Sequence, residues 1–487
     1  MNHTVETAEL RQAILGSIPT DTSGHGRTPE PRHVYVPPSH VKALRLDSSL
    51  VIGARGVGKS FWSAALTSDE IRATLQDTVA DLASLDVSVG FSERDDLDAY
   101  PNADTFRKLV EDGIEPYHIW KAVLARWLAK VMRESIPVSK WHESVDWVKN
   151  DPEAYSRLLG RADTAFADRN RNGLIVFDAL DRSSRSWQAM DRITRDLLQV
   201  VLSLKPYRHL HCKVFLREDQ FAGRRVTDFP DASKLLALRV DLTWELHDLH
   251  GLLWQHLVNG PDPHGRVLRE HFRVVHGNPT DAAADTLWRL PERVRRDTDV
   301  QKRLFASLAG ESMGRDRRRG IPYTWVVGHL ADGRGQTSPR SFLAAIRNAA
   351  EDSQERHSEH ECVFHYESLK RGVQKASGIR VQELAEDYPW IKELLDPLNG
   401  LTVPCEFNAV EARWQERWRT RKPFVDGDQL PPEHGEEGPS GIRQDLEKLG
   451  VFQAMKDGRI NMPDLYRVGF GLGRRGGVKP VKPSNAD

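Results

Sequence analysis

Residues 48–66 read SSLVIGARGVGKSFWSAAL, and no other stretch of the 487-residue chain restricts its fold so tightly. Gly53 is followed by four residues and then by Gly58-Lys59-Ser60, with an apolar run before the pattern and helical spacing after it. That context reads as strand, tight loop and helix, the arrangement that cradles phosphate groups. Glycine at Gly53, Gly56 and Gly58 lets backbone N–H groups curl around an anion with no side chain intervening. Lys59 supplies a point charge to the outer phosphates, the Ser60 hydroxyl can join a magnesium shell, and the new helix turns its positive end towards the anion. Arg55, Val57 and Phe61 complete the expected nucleotide-contacting set.

A phosphate loop needs a second strand that carries a carboxylate to the metal. GLIVFDALDR, residues 173–182, supplies an apolar run ending on Asp178, the expected magnesium partner of Ser60. The next residue is Ala179, where many nucleotide hydrolases carry glutamate; Asp181 lies within reach to orient an attacking water instead. As a purely structural residue, Asp181 would interact with a helix start. Further strands are expected at 49–53, 86–91, 211–216 and 238–242, alternating with helical patterns, which makes the class α/β: a parallel sheet flanked by helices.

The composition suits a water-soluble protein of several domains, with 39% hydrophobic and 29% charged residues. A net charge of −1 gives no global pull towards nucleic acid, so any basic surface must be local. Three scattered cysteines fit a reducing cytoplasm, and neither a signal peptide nor an apolar run of membrane-spanning length is visible. The expected layout is a polar, loosely held arm at 1–33, a nucleotide-binding core at 34–257, a helical lid at 258–350, a helical linker domain at 351–425 and a terminal module at 426–487. In that module GIRQDLEKLGVF reads as a short amphipathic helix, and Asp457-Gly458 marks a hairpin turn. Helix followed by hairpin is the minimum of a winged helix. Its basic bias (Arg443, Arg459, Arg467, Arg474, Arg475, Lys479 and Lys482) suggests phosphate contacts with DNA, against the plainer reading of a solvated tail.

The loop at 53–60 together with IVFDALDR resembles the P-loop ATPases of the STAND and AAA+ groups, and most closely KAP-type members, whose acidic strand ends Asp-x-Leu-Asp-Arg. Asp178, Leu180, Asp181 and Arg182 match that pattern, whereas the related NACHT pattern usually has glutamate in place of Arg182. By this resemblance CKVFLREDQF is a sensor strand, with Arg217 and Asp219 as candidates to feel the γ-phosphate. SPRSFLAAIRNAAE then resembles the start of a lid helix whose Arg340 folds back on the nucleotide, while Gly277 to Pro279 offers an alternative Gly-x-Pro element. KAP-type proteins often carry membrane segments, which this chain lacks. An ATPase core with a lid and a terminal winged helix also resembles the origin-recognition class of AAA+ proteins.

The resemblance implies ATP and Mg2+ as cofactors, with Lys59, Asp178, Asp181, Arg217 and Arg340 as the catalytic set. It also implies a homo-oligomer and, by analogy with prokaryotic relatives, an effector partner in antiphage defence. A DNA-binding loader or regulator and a non-hydrolysing scaffold are the alternatives. GRDRRRG, residues 314–320, reads as an exposed loop or as the source of an arginine acting on a neighbouring copy. His357, His360, Cys362 and His365 have the right types for zinc but no paired spacing, and the tryptophans at 120, 127, 141 and 147 read as core or inter-domain packing.

Overall fold

The computed structural model of the protein describes residues 2–20, 28–184, 186–221, 224–277, 281–282, 287–420, 431–474 and 478–480. Contacts divide the chain into two compact units, one formed chiefly by Val36–Thr243 and the other chiefly by Trp244–Asp487 with the N-terminal segment Met1–Ser23.

The first unit is built on a five-stranded sheet in the order β2-β3-β4-β1-β5. Its strands are β1 (Leu50–Gly53), β2 (Leu85–Phe91), β3 (Asn172–Phe177), β4 (Leu210–Arg217) and β5 (Val240–Asp241), and every pairing is parallel. All four residues of β1, and all of β3 after its first, are buried, as expected of strands covered on both faces. Four strands form where the apolar runs place them; the fifth shortens to two residues at the sheet edge. Helices Pro116–Met132 and Trp187–Ser203 bury their apolar sides in the same core. Trp120 sits at its centre, edge-on to Phe91 at 5.8 Å and to Phe177 at 5.6 Å. The tryptophan-rich segment is therefore core, and each such ring contributes about 1.5–3 kcal/mol by leaving water. Because all strands run parallel, their carboxyl ends share one edge, where β1, β3 and β4 deliver the loop, Asp178 and Arg217.

The second unit is largely helical. Helix Asn2–Ser17 belongs to it, so the expected polar arm is instead packed structure. Leu10, Ala13, Ile14 and Ile18 are buried along one stripe, and Arg347 donates to the carbonyls of Leu15 and Ile18 at 2.6 and 2.5 Å, capping the helix end. Helix Pro339–Arg356 runs through the expected lid boundary at 350 and packs against Tyr366–Asp387, so the break falls at 357–365. Charge at 351–356 reads as a linker, yet Asp352 binds Arg371 and Arg356 within the helix pair. The expected core boundary at 257 likewise falls inside helix Leu246–Val258, and the unit boundary lies at 243.

At the C-terminus helix Pro439–Lys448 precedes antiparallel strands Gln453–Ala454 and Ile460–Asn461, joined through Gly458 at φ 87°. This is the expected helix and hairpin of a winged helix. Ile442, Leu446, Phe452 and Ile460 form its buried side, and Trp414 stacks on Phe452 at 6.4 Å. No helix among the described residues is long and apolar enough to cross a membrane.

Candidate functional site

The phosphate-loop sequence folds as its residue types require. Gly58 adopts φ 105°, a left-handed conformation costly for any other residue, and directly starts helix Lys59–Thr67. A side chain at Gly53 would strike Val57 Cγ2 at 2.6 Å, so this glycine is needed for close approach. No side chain caps the helix start, which leaves its first amides for an anion. Lys59 Nζ donates to the carbonyls of Gly53 and Ala54, both at 2.8 Å, and so lies within the curl of the loop. Desolvation and the neighbouring Arg217 hold this ammonium down to about 8, against the opposing pull of Asp178, Asp219 and Asp181. Although part of the lysine surface stays accessible, its charged end is deep in the site.

Asp178 follows β3 directly, with its N–H bonded to the Phe91 carbonyl at 3.0 Å. The residue is 6% exposed, and burial pushes its pKa up to about 6, partly offset by a hydrogen bond from Ser60 and by the charge of Lys59. Two residues far apart in the chain, Ser60 and Asp178, are thus joined. The pairing of an accessible hydroxyl with a buried carboxylate suits a hard, oxygen-seeking dication, so the residues fit magnesium. Ala179, which replaces the usual glutamate, sits at φ 57° and ψ 33°, a strained conformation for a residue with a Cβ.

Arg217 ends β4 level with Gly53 in the register and donates to both oxygens of Asp219, at 3.1 and 3.0 Å. It also pairs with Asp181 at 3.4 Å. Lys59, Ser60, Asp178, Asp181, Arg217 and Asp219 therefore form one electrostatic cluster on the carboxyl edge of the sheet. Arg55, Gly56, Val57 and Phe61 flank it on the loop and first helical turn.

Other expected residues lie elsewhere. Arg340 belongs to the helical unit, where it pairs with Glu383 at 2.7 Å. Pro279, Arg475 and Lys482 fall outside the described residues. The basic bias of the hairpin module is largely occupied by acids: Arg443 binds Glu447, Arg459 binds Asp457, and Arg474 binds Asp464. Arg467 is sealed from solvent against Asp464, so it offers nothing to a DNA phosphate. Arg317 of the basic loop at 314–320 pairs with Glu311. In the histidine-rich segment His357 stacks on His365 at 3.7 Å, and His357 Nε2 meets Arg371 at 2.9 Å. The three-ligand grouping among the described residues is instead Glu433, His434 and Asp445, in which His434 Nδ1 already hydrogen-bonds Asp445 at 2.6 Å.

Sequence reading missed His40. It lies fully buried in helix Pro38–Leu44, accepting at Nδ1 from the Trp62 indole at 3.0 Å and donating from Nε2 to the Thr243 carbonyl at 3.0 Å. No local pattern announces a contact between residues this far apart in the chain.

No family model and no curated protein matches the chain. Among solved structures it is similar to the Aeropyrum pernix ORC2 protein in ADPNP–ADP complexes, at 11% identity and TM-score 0.37, covering 86% of this chain and 84% of that one. It is also similar to Aeropyrum pernix ORC1 in complex with DNA, at 14% identity and TM-score 0.33 over 88% of this chain and 90% of that one. Cdc6p from Pyrobaculum aerophilum aligns at 10% identity and TM-score 0.28 over 87% and 84% of the two chains. The fold assignment rests on the parallel sheet, the loop and the acidic strand: an α/β P-loop nucleotide-binding fold with a helical unit ending in a winged helix.

Proposed function

We propose that this chain binds ATP with magnesium and hydrolyses it slowly, as a switch of the AAA+ or STAND kind. The observation that carries this reading is the convergence of Lys59, Ser60 and the buried Asp178 at the carboxyl edge of one parallel sheet. Lys59 would exchange the Gly53 and Ala54 carbonyls for phosphate oxygens. Ser60 and Asp178 would hold the metal, which supplies charge neutralisation at the reacting phosphate. Asp181 would orient water in place of the glutamate that Ala179 replaces, and Arg217, fixed by Asp219, would answer to the γ-phosphate. By the same resemblance Arg340, paired here with Glu383, is the candidate lid arginine. Self-association, an effector partner and a place in antiphage defence are the finer part of the proposal and rest on the likeness of residues 53–60 and 178–182 to KAP-type ATPases.

Calorimetric titration with ATP and magnesium tests the reading. Lys59→Ala should abolish binding, and Asp178→Ala should remove turnover; unchanged turnover in either variant would overturn the assignment. Asp181→Asn should lower turnover about 100-fold with ATP affinity retained. Sizing with ADP and with ATP tests the switch. A DNA-binding loader is the second reading, favoured by the helix and hairpin at 439–461 and weakened by the acids paired with their arginines. Duplex binding that weakens steeply with salt would support it.

A further inference from the structure

The phosphate loop is tied down by groups outside its own motif, and the tie forms a closed circuit. At one end of the loop, Gly53 lies against Leu242, whose Cβ a side chain at Gly53 would approach to 3.3 Å, and the Leu242 N–H bonds the Ile52 carbonyl at 2.7 Å. The next residue, Thr243, accepts at its carbonyl from His40 Nε2 at 3.0 Å and from the Ser39 hydroxyl at 3.2 Å. His40 Nδ1 in turn accepts from Trp62 Nε1 at 3.0 Å, with the rings edge-to-face at 5.9 Å. Trp62 stands in the first turn of the loop helix, and its indole nitrogen lies 3.9 Å from where a side chain on Gly58 would point. The circuit therefore runs from the start of the loop through Leu242, Thr243, His40 and Trp62 to the end of the loop.

We infer that His40 is a positioning residue for the phosphate loop: as a neutral imidazole it clamps the loop helix to the exit of β5 and so fixes the spacing between Gly53 and Gly58. The role demands both ring nitrogens in one tautomer, one accepting from an indole that can only donate, the other donating to a carbonyl that can only accept. A protonated ring could not accept from Trp62. Burial holds His40 down to about 4, so the ring keeps this form at neutral pH. Trp62 is 1% exposed and His40 0%, so water cannot replace the bond between them.

The inference rests on the proposed nucleotide site, but its test has a readout that needs no nucleotide. Amide hydrogen exchange over residues 53–66 is compared in the full chain, His40→Phe, His40→Gln and Trp62→Phe, alongside Kd for ATP with magnesium. Glutamine places an acceptor and a donor side by side and should restore the clamp; phenylalanine keeps bulk and removes both. His40→Phe should raise loop exchange and the ATP Kd each about tenfold or more. His40→Gln should return both to near the parent, and adding Trp62→Phe to His40→Phe should change little further. Loop exchange unchanged in a folded His40→Phe, or no rescue by glutamine, overturns the clamp. Absence of ATP binding by the parent chain would instead sink the nucleotide reading, while the exchange data still decide the clamp.

Discussion

Lys59 in the sheet unit and Arg467 in the helical unit are both cations set among buried groups, and their surroundings differ in kind. Arg467 has a carboxylate or carbonyl on every nitrogen: Asp464 at Nε and Nη2, the Leu472 carbonyl at Nη1 and the Val478 carbonyl at Nη2. Among the described residues Lys59 donates to two loop carbonyls, and the acids near it act through space rather than in direct pairs. A saturated cation is fixed architecture, because every partner it could take is already present. On the proposed reading, an under-committed cation beside a buried carboxylate is poised for an external partner. The contrast separates stability from function within one chain.

The sharpest way to break this contrast is Arg467→Met. It leaves Asp464 buried without its main counter-ion and should destabilise the helical unit by about 3–5 kcal/mol in urea unfolding, with ATP affinity unaffected if the unit stays folded. Lys59→Ala should do the reverse, weakening ATP binding at least about 100-fold, near 2.7 kcal/mol, while thermal stability holds or rises. Equal stability losses in both variants would dissolve the distinction.

Asp178→Asn sharpens it through pH. The folded-state pKa is raised from 3.8 to about 6, so the folded protein binds this proton more tightly than the unfolded chain does. Ionisation therefore opposes folding; the penalty is complete above about pH 6 and disappears below the ordinary carboxylate value. Asparagine should stabilise the protein by about 1–3 kcal/mol near neutral pH and by nothing near pH 4, with turnover lost throughout. A gain that is flat with pH would show that burial at Asp178 does not set its proton affinity. The smallest effect is expected from Arg443→Gln, which removes a half-exposed helix pair with Glu447 and should change stability by less than about 1 kcal/mol.

What the sequence made legible follows the same division. The loop, the acidic strand and the boundaries of β1 to β4 were readable because continuous apolar runs and backbone-demanding glycines are local signals. The link between Ser60 and Asp178 was readable from the chemistry a phosphate site requires. Arg467 was misread as a surface charge, since composition does not show that Asp464, Leu472 and Val478 close around it. Helix Asn2–Ser17 was obscured by the polar stretch after it, although Leu10, Ala13 and Ile14 already have helical spacing. His40 was illegible because its meaning lies in Trp62 and Thr243, neither of which is its neighbour in sequence.

The hydrogen bonds to the Thr243 carbonyl also have a temporal consequence. Ser39 and its acceptor are separated by 204 residues, so the support of the phosphate loop is closed by one of the last residues of its unit to be synthesised. Loops of that length are slow to close and gain nothing until they do. A ribosome-bound chain halted before residue 243 already contains Gly53, Lys59, Ser60, Asp178 and Arg217, yet lacks the anchor that spaces them. On the proposed reading, a chain halted there should hold its phosphate loop loosely and bind ATP about tenfold more weakly than one extended past residue 243.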